Sequence, residues 1–407
     1  MRPILELPRL SMKERDRRYA AVRTQMAARG LDAIVLWGWP MMWDFYTANS
    51  RYLSQIGGNA EFNVLIFPAV GEATSIIQLP TFLDGWRAAQ DWVTDIRPRA
   101  KTWAHSVASR IKELKLERGK IGMDGLAGPL DPDGWLPRDV YQGLVDLLPG
   151  ANLVALDDML EKVRAVKSDE ELGVLRKAAQ LGDLMLATCR DTARVGVKEC
   201  EVYASMMHAM VGNGGEEPTL FLWNCDRHPY PHPFRVPTVR PMDPRDLIIC
   251  EMHPKFGGYF THVERTFCLG EPDKEQLRIY DGCLAAYQCG LDNFGPGKPI
   301  STALMAVKDV IDERGLAICE AGIHGHGLAS LEYPRFRHHA LAADQQAVKV
   351  IGDRFETGMV FAFNIDLVDP KWHGGKTGCV FAETIEITAT GARRMHTYPT
   401  EFQRLAG

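Results

Sequence analysis

The segment Leu247-Ile248-Ile249-Cys250-Glu251-Met252-His253, followed by Gly257-Gly258 and then Tyr259 to Leu269, sets ionisable side chains inside apolar runs. Two strands joined through a glycine-containing loop make a hairpin. Side chains alternate along a strand, so Phe260, His262, Glu264 and Thr266 share one face and Tyr259, Thr261, Val263 and Arg265 the other. A histidine and a glutamate two residues apart on one face form a polar cluster that is costly to bury without partners. Asn364 and Asp366 interrupt the run begun by Met359-Val360-Phe361-Ala362-Phe363, and Glu383 follows Cys379-Val380-Phe381-Ala382. Core-like strands seldom carry carboxylates unless these are paired, metal-bound or functional. Two histidine pairs complete the set: His228 and His232 in His-Pro-Tyr-Pro-His-Pro, and His324 and His326 in Gly-Ile-His-Gly-His-Gly. Their proline and glycine neighbours predict loops, where an imidazole can face a cavity. Imidazoles beside strand-borne acids offer proton transfer near neutral pH, or ligands for a metal ion.

The elements that must position these residues fall into two parts. Residues 12–29 carry a helical charge pattern that ends at Gly30. Ala33–Trp37, Asn63–Phe67 and Thr74–Gln78 read as strands, and 101–116 as a helix. A strand at Lys120–Asp124, a helix over Pro137–Leu148 and a strand at Asn152–Val154 complete an α/β domain with a mixed sheet. Ser168-Asp169-Glu170-Glu171 predicts a capping box opening a long helix to about Arg190. A second helix runs from about Lys198 to Val211, and beyond Gly212 the chain is strand-rich, with helices near 273–293 and 301–314. The expected domains are 1–162 and 163–407.

A chain of 407 residues exceeds what one hydrophobic core usually organises, which fits two domains. A net charge of −5 lacks the concentrated basic surface that nucleic acid requires. No apolar run is long enough to span a membrane, and the charged stretch Lys13–Arg18 is unlike a signal peptide, so a cytoplasmic location is expected. All nine cysteines fall at or after Cys189, without paired spacing, and read as buried free thiols; Cys225 is the one weighed as a nucleophile.

Four pieces together resemble the aminopeptidase P/prolidase/creatinase superfamily: Gly258–Thr266, Gly325-His326-Gly327, Thr357–Phe361 and the late Glu383. Val166–Glu171 is similar to the linker and first catalytic-domain helix of that family. The resemblance implies a creatinase-type α/β domain followed by a "pita-bread" catalytic domain, a small-molecule substrate and a homodimer. It maps the five ligands of a two-metal peptidase site onto Glu251, His262, His326, Asn364 and Glu383. Asn364 makes a poor bridge between two cations, which need bridging carboxylates. Glu251, His262, His326 and Glu383 remain candidates for one divalent ion (zinc, iron or manganese), while a metal-free site is the first expectation.

The metal-free creatinase branch resembles Tyr259–Thr266 more closely. That likeness implies His232 as the proton-shuttling residue, Glu264 as the residue holding a cationic substrate group, and Arg337, or Arg335, as a receiver of the substrate carboxylate. His326 joins the catalytic set, and His228, Asn364 and Tyr259 join the substrate-binding set. Asn364 removes one carboxylate from the creatinase clamp, and Gly58–Phe62 has no arginine where that branch lends one across its dimer, so creatine itself is not expected as substrate. The aromatic-rich stretch Trp37–Tyr46 implies either a larger ligand or interdomain packing. The expected activity is hydrolysis of a C–N bond in a small polar molecule. Its alternatives are a lyase reaction or a divergent Xaa-Pro dipeptidase.

Overall fold

The computed structural model describes residues 9–40, 44–58, 61–127, 133–217, 220–232, 235–337 and 353–406; of Phe336 and Arg337 only the backbone is described. The chain divides into two compact units, Met1–Arg164 and Ala165–Gly407.

The first unit is built on a six-stranded sheet: β1 (Ala33–Gly38), β2 (Asn63–Pro68), β3 (Thr74–Ile77), β4 (Asp95–Pro98), β5 (Lys120–Met123) and β6 (Asn152–Ala155), in the order β4-β3-β2-β1-β5-β6. β1, β2 and β3 pair antiparallel, while β4, β5 and β6 join in parallel, so the sheet is mixed as expected. Helix α1 (Met12–Arg29) stops where Gly30 takes a left-handed φ of 62° and its N–H closes onto Ala27, a conformation that favours glycine. The sequence reading missed α2 (Phe45–Ser54), α3 (Leu83–Ala89), β4 and α6 (Met159–Ala165); α4 (Trp103–Glu113) and α5 (Arg138–Leu147) match its helices. Val35, Trp37, Val64 and Ile66 pack against Val107 and Ile111 of α4 and Leu144 of α5. Met41, Met42 and Trp43 lie outside the described residues, but Trp37, Trp39, Tyr46 and Trp135 form a ring cluster inside this unit. Asn59 and Ala60 also lie outside. Glu61 accepts a 2.6 Å hydrogen bond from Trp86 Nε1 within the unit.

Asp124, just past β5, accepts hydrogen bonds from Asn49 and from the Gly125 amide. Burial, then the nearby charge of Glu161, pushes its carboxyl up to about 7 from an ordinary 3.8. The folded state therefore holds this proton more tightly than the unfolded chain. Its stabilising contribution is complete below about pH 4 and is lost as the pH rises through about 7. Asp124→Asn is expected to raise the melting temperature above that of the parent at pH 8 and to match it near pH 4. A difference that does not vary with pH would remove this account.

The second unit opens with α7 (Asp169–Thr192), whose Ser168 and Glu171 form the predicted capping box. It continues through α8 (Glu199–Gly212), β7 (Phe221–Asp226), β8 (Leu247–Met252), β9 (Lys255–Phe256), β10 (Tyr259–Phe260), β11 (Val263–Leu269), α9 (Lys274–Asn293), α10 (Ile300–Glu313) and β12 (Ala317–Gly325). The remaining strands are β13 (Glu332–Arg337), β14 (Val360–Val368), β15 (Gly378–Thr388), β16 (Gly391–Arg394) and β17 (Gln403–Leu405). Nine of them make one sheet, with the path β13-β12-β14-β15-β11-β8-β7 and with β16 on β15 and β17 on β11.

Helices cover one face of this sheet. Phe361, Phe363, Ile365 and Leu367 of β14 and Phe381 and Ile385 of β15 pack on Ile279, Cys283 and Ala286 of α9 and Leu304, Val307 and Ile311 of α10. Trp223, Ile248, Cys250, Val263 and Phe267 pack on Leu181, Met185 and Leu186 of α7 and Met206 and Met210 of α8. The residues between these apolar positions necessarily point to the opposite face. That face carries the ionisable groups. The nine cysteines are free thiols, and Cys225 is buried, which pushes its thiol well above the ordinary value. A thiol held protonated in this way is no nucleophile.

Candidate active site

The polar face is assembled by register. β8 and β11 pair so that Glu251 lies opposite Glu264. β11 and β15 bring Glu264 opposite Ala382, and β15 and β14 bring Ala382 opposite Asn364. β14 and β12 set Asp366 opposite Glu320, Asn364 opposite Gly322 and Ala362 opposite His324. Glu251, Glu264, Asn364, Asp366, Glu320 and His324 thus share one surface drawn from four strands. His253 and His262 extend it, each two residues beyond a glutamate of that surface and hydrogen-bonded to it. His253 Nε2 is 3.1 Å from Glu251, and His262 Nε2 is 3.2 Å from Glu264.

His326 follows the end of β12, and its glycine neighbours are required by close approach. A Cβ on Gly325 would sit 2.4 Å from the carbonyl oxygen of Tyr333, and one on Gly327 would sit 2.6 Å from the carboxylate of Glu332. That carboxylate is buried and ion-paired with Lys167 at 3.0 Å, so it cannot yield cheaply. The same geometry corrects one sequence expectation: His324 belongs to β12 rather than to a loop. Glycines there serve packing between β12 and β13, not chain reversal.

Four imidazoles therefore meet on this face. Ring centroids are 4.4 Å apart for His253 and His262, 5.2 Å for His253 and His326, 5.0 Å for His324 and His326, and 5.8 Å for His262 and His324. All four are buried. Burial is the first cause that holds His262 down to about 4 and the other three well below the ordinary histidine value. They are neutral rings, each with a lone pair to offer.

His232 comes from the loop after β7. Its Nδ1 is 3.3 Å from Glu320 and 3.5 Å from Asp366. Burial, then the charges of Glu264 and Glu320, raises Asp366 well above the ordinary carboxyl value; burial, with the charge of Glu320 and against a hydrogen bond with Asp366, pushes Glu264 up to about 8. Arg335 lies opposite His324 in the β12–β13 ladder, and Arg337 opposite Gly322; the side chain of Arg337 is outside the described residues.

Three candidates stand elsewhere. Glu383 pairs with Phe363, not Asn364, and so faces the helical core, where its carboxylate accepts a hydrogen bond from Arg265. Period-two alternation puts Ala382 in the place expected of a metal-binding glutamate. Tyr259 donates a 3.0 Å hydrogen bond to Glu171 and ties β10 to α7 instead of reaching substrate. His228 packs its ring on His373 at 4.1 Å and on Trp372 at 5.6 Å. Conversely, His253 and Glu320 were missed as site residues, while His324, set beside His326 by the sequence, does join the face. His253 carried a signal, a histidine at the end of an apolar strand; Glu320 carried none that local pattern could separate from a surface acid.

With this geometry in place, comparison with known proteins identifies the class. The chain matches metallopeptidase family M24 over residues 173–389 and the creatinase/prolidase N-terminal domain over 18–166. It belongs to metallopeptidase family M24. It is 26% identical to an Xaa-Pro dipeptidase of Pyrococcus furiosus over 59% of this chain, and that match spans 65%, less than two thirds, of the relative. It is 21% identical to a creatinase of a Bacillus species over 96% of this chain and 92% of the relative. In fold it is similar to an Xaa-Pro dipeptidase from Bacillus anthracis, with a TM-score of 0.77 over 96% of this chain and 100% of the other, at 21% identity. The expected two-part α/β architecture with a pita-bread second domain is the observed one. No described helix is long and apolar enough to cross a membrane.

A two-ion centre of the kind the family name implies does not fit the residues present. Of the five mapped positions, Asn364 brings an amide and Glu383 is turned into the core, which leaves Glu251 as the one carboxylate among those five, too few to bridge two cations in the family's manner. No reaction step is derived through such a centre.

Proposed function

We propose that this protein is a hydrolase that cleaves a C–N bond in a small, polar, positively charged molecule, with His232 as general acid/base. The observation that carries the reading is the contact of His232 Nδ1 with Glu320 and Asp366. Carboxylates on one ring nitrogen orient an imidazole and leave the other nitrogen to move protons. Water adds its oxygen to the electrophilic carbon, His232 accepts the water proton, and the same proton passes to the departing nitrogen as the C–N bond breaks. Glu264 and Asp366, whose raised carboxyls would give up their protons as a cation binds, supply the surface on which a substrate cation is held. Asn364, buried on the same surface with its amide oxygen lacking a hydrogen-bond partner among the described residues, is placed to accept a hydrogen bond from substrate. Arg335 and Arg337, on the neighbouring strand, are the groups for a substrate carboxylate.

Similarity to Xaa-Pro dipeptidases supports a second reading, cleavage of a proline-containing dipeptide. Asn364 and Ala382 in the centre of the face weigh against it. A lyase on the same residues is the third.

The deciding experiment is turnover of a panel of guanidino, amidino and N-alkylamino acids, with Xaa-Pro dipeptides alongside, in ¹⁸O-labelled water. Label in the product carbonyl from a cationic non-peptide substrate is the expected result. Unlabelled product would establish elimination, and exclusive cleavage of the dipeptides would return the protein to the peptidases; either overturns the reading.

A further inference from the structure

We propose that His253, His262 and His326 bind a single divalent transition-metal ion, zinc or ferrous iron in chemical class, in place of a two-ion centre. One ring nitrogen or equivalent ligand atom from each of the three lies within 4.8 Å of the others, and all three side chains are buried. The hydrogen bonding of the rings points the same way. On each ring one nitrogen is engaged: His253 Nε2 with Glu251 at 3.1 Å, His262 Nε2 with Glu264 at 3.2 Å, and His326 Nδ1 with the carbonyl of Phe260 at 3.2 Å. The other nitrogen of each ring, His253 Nδ1, His262 Nδ1 and His326 Nε2, is buried without a hydrogen-bond partner among the described residues.

A carboxylate or carbonyl on one nitrogen and an unshared pair on the other is how metal-binding histidines are held in tautomer and orientation. Leaving three such nitrogens buried and unpaired would cost on the order of 1–3 kcal/mol each. Nitrogens bound to one ion at about 2.1 Å stand about 3.4 Å apart in a tetrahedron, against ligand atoms of the three rings that here lie within 4.8 Å of one another. Three imidazoles with an open fourth position suit zinc or iron and do not suit magnesium or calcium, which take oxygen ligands. Glu251 is the second group of this arrangement: through His253 it fixes ligand geometry, and with His262 and Glu264 it forms an overlapping acidic set.

The test is the metal content of the full chain purified without chelator, measured by inductively coupled plasma mass spectrometry. About one ion per chain is expected. His253→Gln, which keeps a polar side chain of similar reach, is expected to lower the apparent affinity by about 10- to 100-fold or more. The metal-stripped parent titrated with Co²⁺ should develop the intense visible bands of a four- or five-coordinate nitrogen-rich site. Its melting temperature should rise on adding Zn²⁺, and neither change should occur in His253→Gln at equal concentrations. Two ions per chain, no ion with a weak octahedral cobalt spectrum, or unaltered binding in His253→Gln would each overturn the proposal. The circular dichroism of stripped parent and variant should coincide, which separates loss of the site from loss of the fold. Hydrolysis through His232 does not depend on this outcome, because the ¹⁸O experiment reads bond cleavage whatever the metal content.

Discussion

Replacing His232 by alanine is expected to lower kcat/KM by about 10²- to 10⁴-fold, the usual contribution of a positioned general acid/base. The measurement uses the cationic substrate from the labelling panel that turns over fastest, with circular dichroism to show that the fold is retained. His232 sits on a loop and is only half-buried, so its removal opens no cavity in a hydrophobic core. Glu320→Gln, which keeps the shape beside Nδ1 and removes its charge, should fall between parent and His232→Ala and should shift the pH at which activity rises. That shift separates a residue acting through the imidazole from one that merely packs there. A loss smaller than about tenfold in His232→Ala would take proton transfer away from this residue.

The second large effect is on stability. Arg265 and Glu383 are fully buried, and the guanidinium also donates to the carbonyls of Glu264, Ala382 and Pro399 and lies 4.5 Å over the ring of Phe381. Removing one member of such a pair strands a charge in the core, at a cost of about 3–5 kcal/mol. Glu383→Ala should therefore lower the melting temperature by about 6–20 °C at the size of this unit. The double variant Arg265→Met with Glu383→Leu, which removes both charges and refills the space, should recover most of that loss. Because Glu383 faces the helices, its substitution is expected to leave the metal stoichiometry unchanged when measured well below the melting transition. A selective loss of metal with little change in stability would put Glu383 back on the polar face and refute the register argument.

These two residues also show how far local sequence reaches. Both were singled out for the same reason, an ionisable side chain in an unusual setting. His232 reaches the acidic face because proline-flanked loop chemistry and chain length allow it. Glu383 does not, although its neighbours differ little from those of Asn364. The difference is a single step of phase in β15, and phase relative to the core is set by pairing with β14, not by the strand's own composition. Asn364 and Ala382 are partners across that ladder, so the residue before Glu383 occupies the site. The histidines show the converse. His253 closes an apolar strand and looked unremarkable until β8 lay beside β11.

By itself the amino-acid sequence determined most of the elements, α2, α3, α6 and β4 excepted, and the class of protein. The helices α1, α4, α5, α7, α8, α9 and α10 follow from periodicity, from the Ser168–Glu171 box and from Gly30. The strands carrying Glu251, Glu264, Asn364 and Asp366 follow from apolar runs, although the strand expected over Tyr259–Leu269 is broken at Thr261 and His262 between β10 and β11, and four ordered motifs indicated the family. These are local signals, carried by neighbours in the chain. Tertiary structure alone decided which acids and imidazoles meet: four strands in register and a loop bring together residues from His232 to Asp366, and place Glu383 and Tyr259 elsewhere. Alternation says only that successive side chains point apart. Which of the two directions is the core depends on where the helices pack, and that is a property of the whole unit.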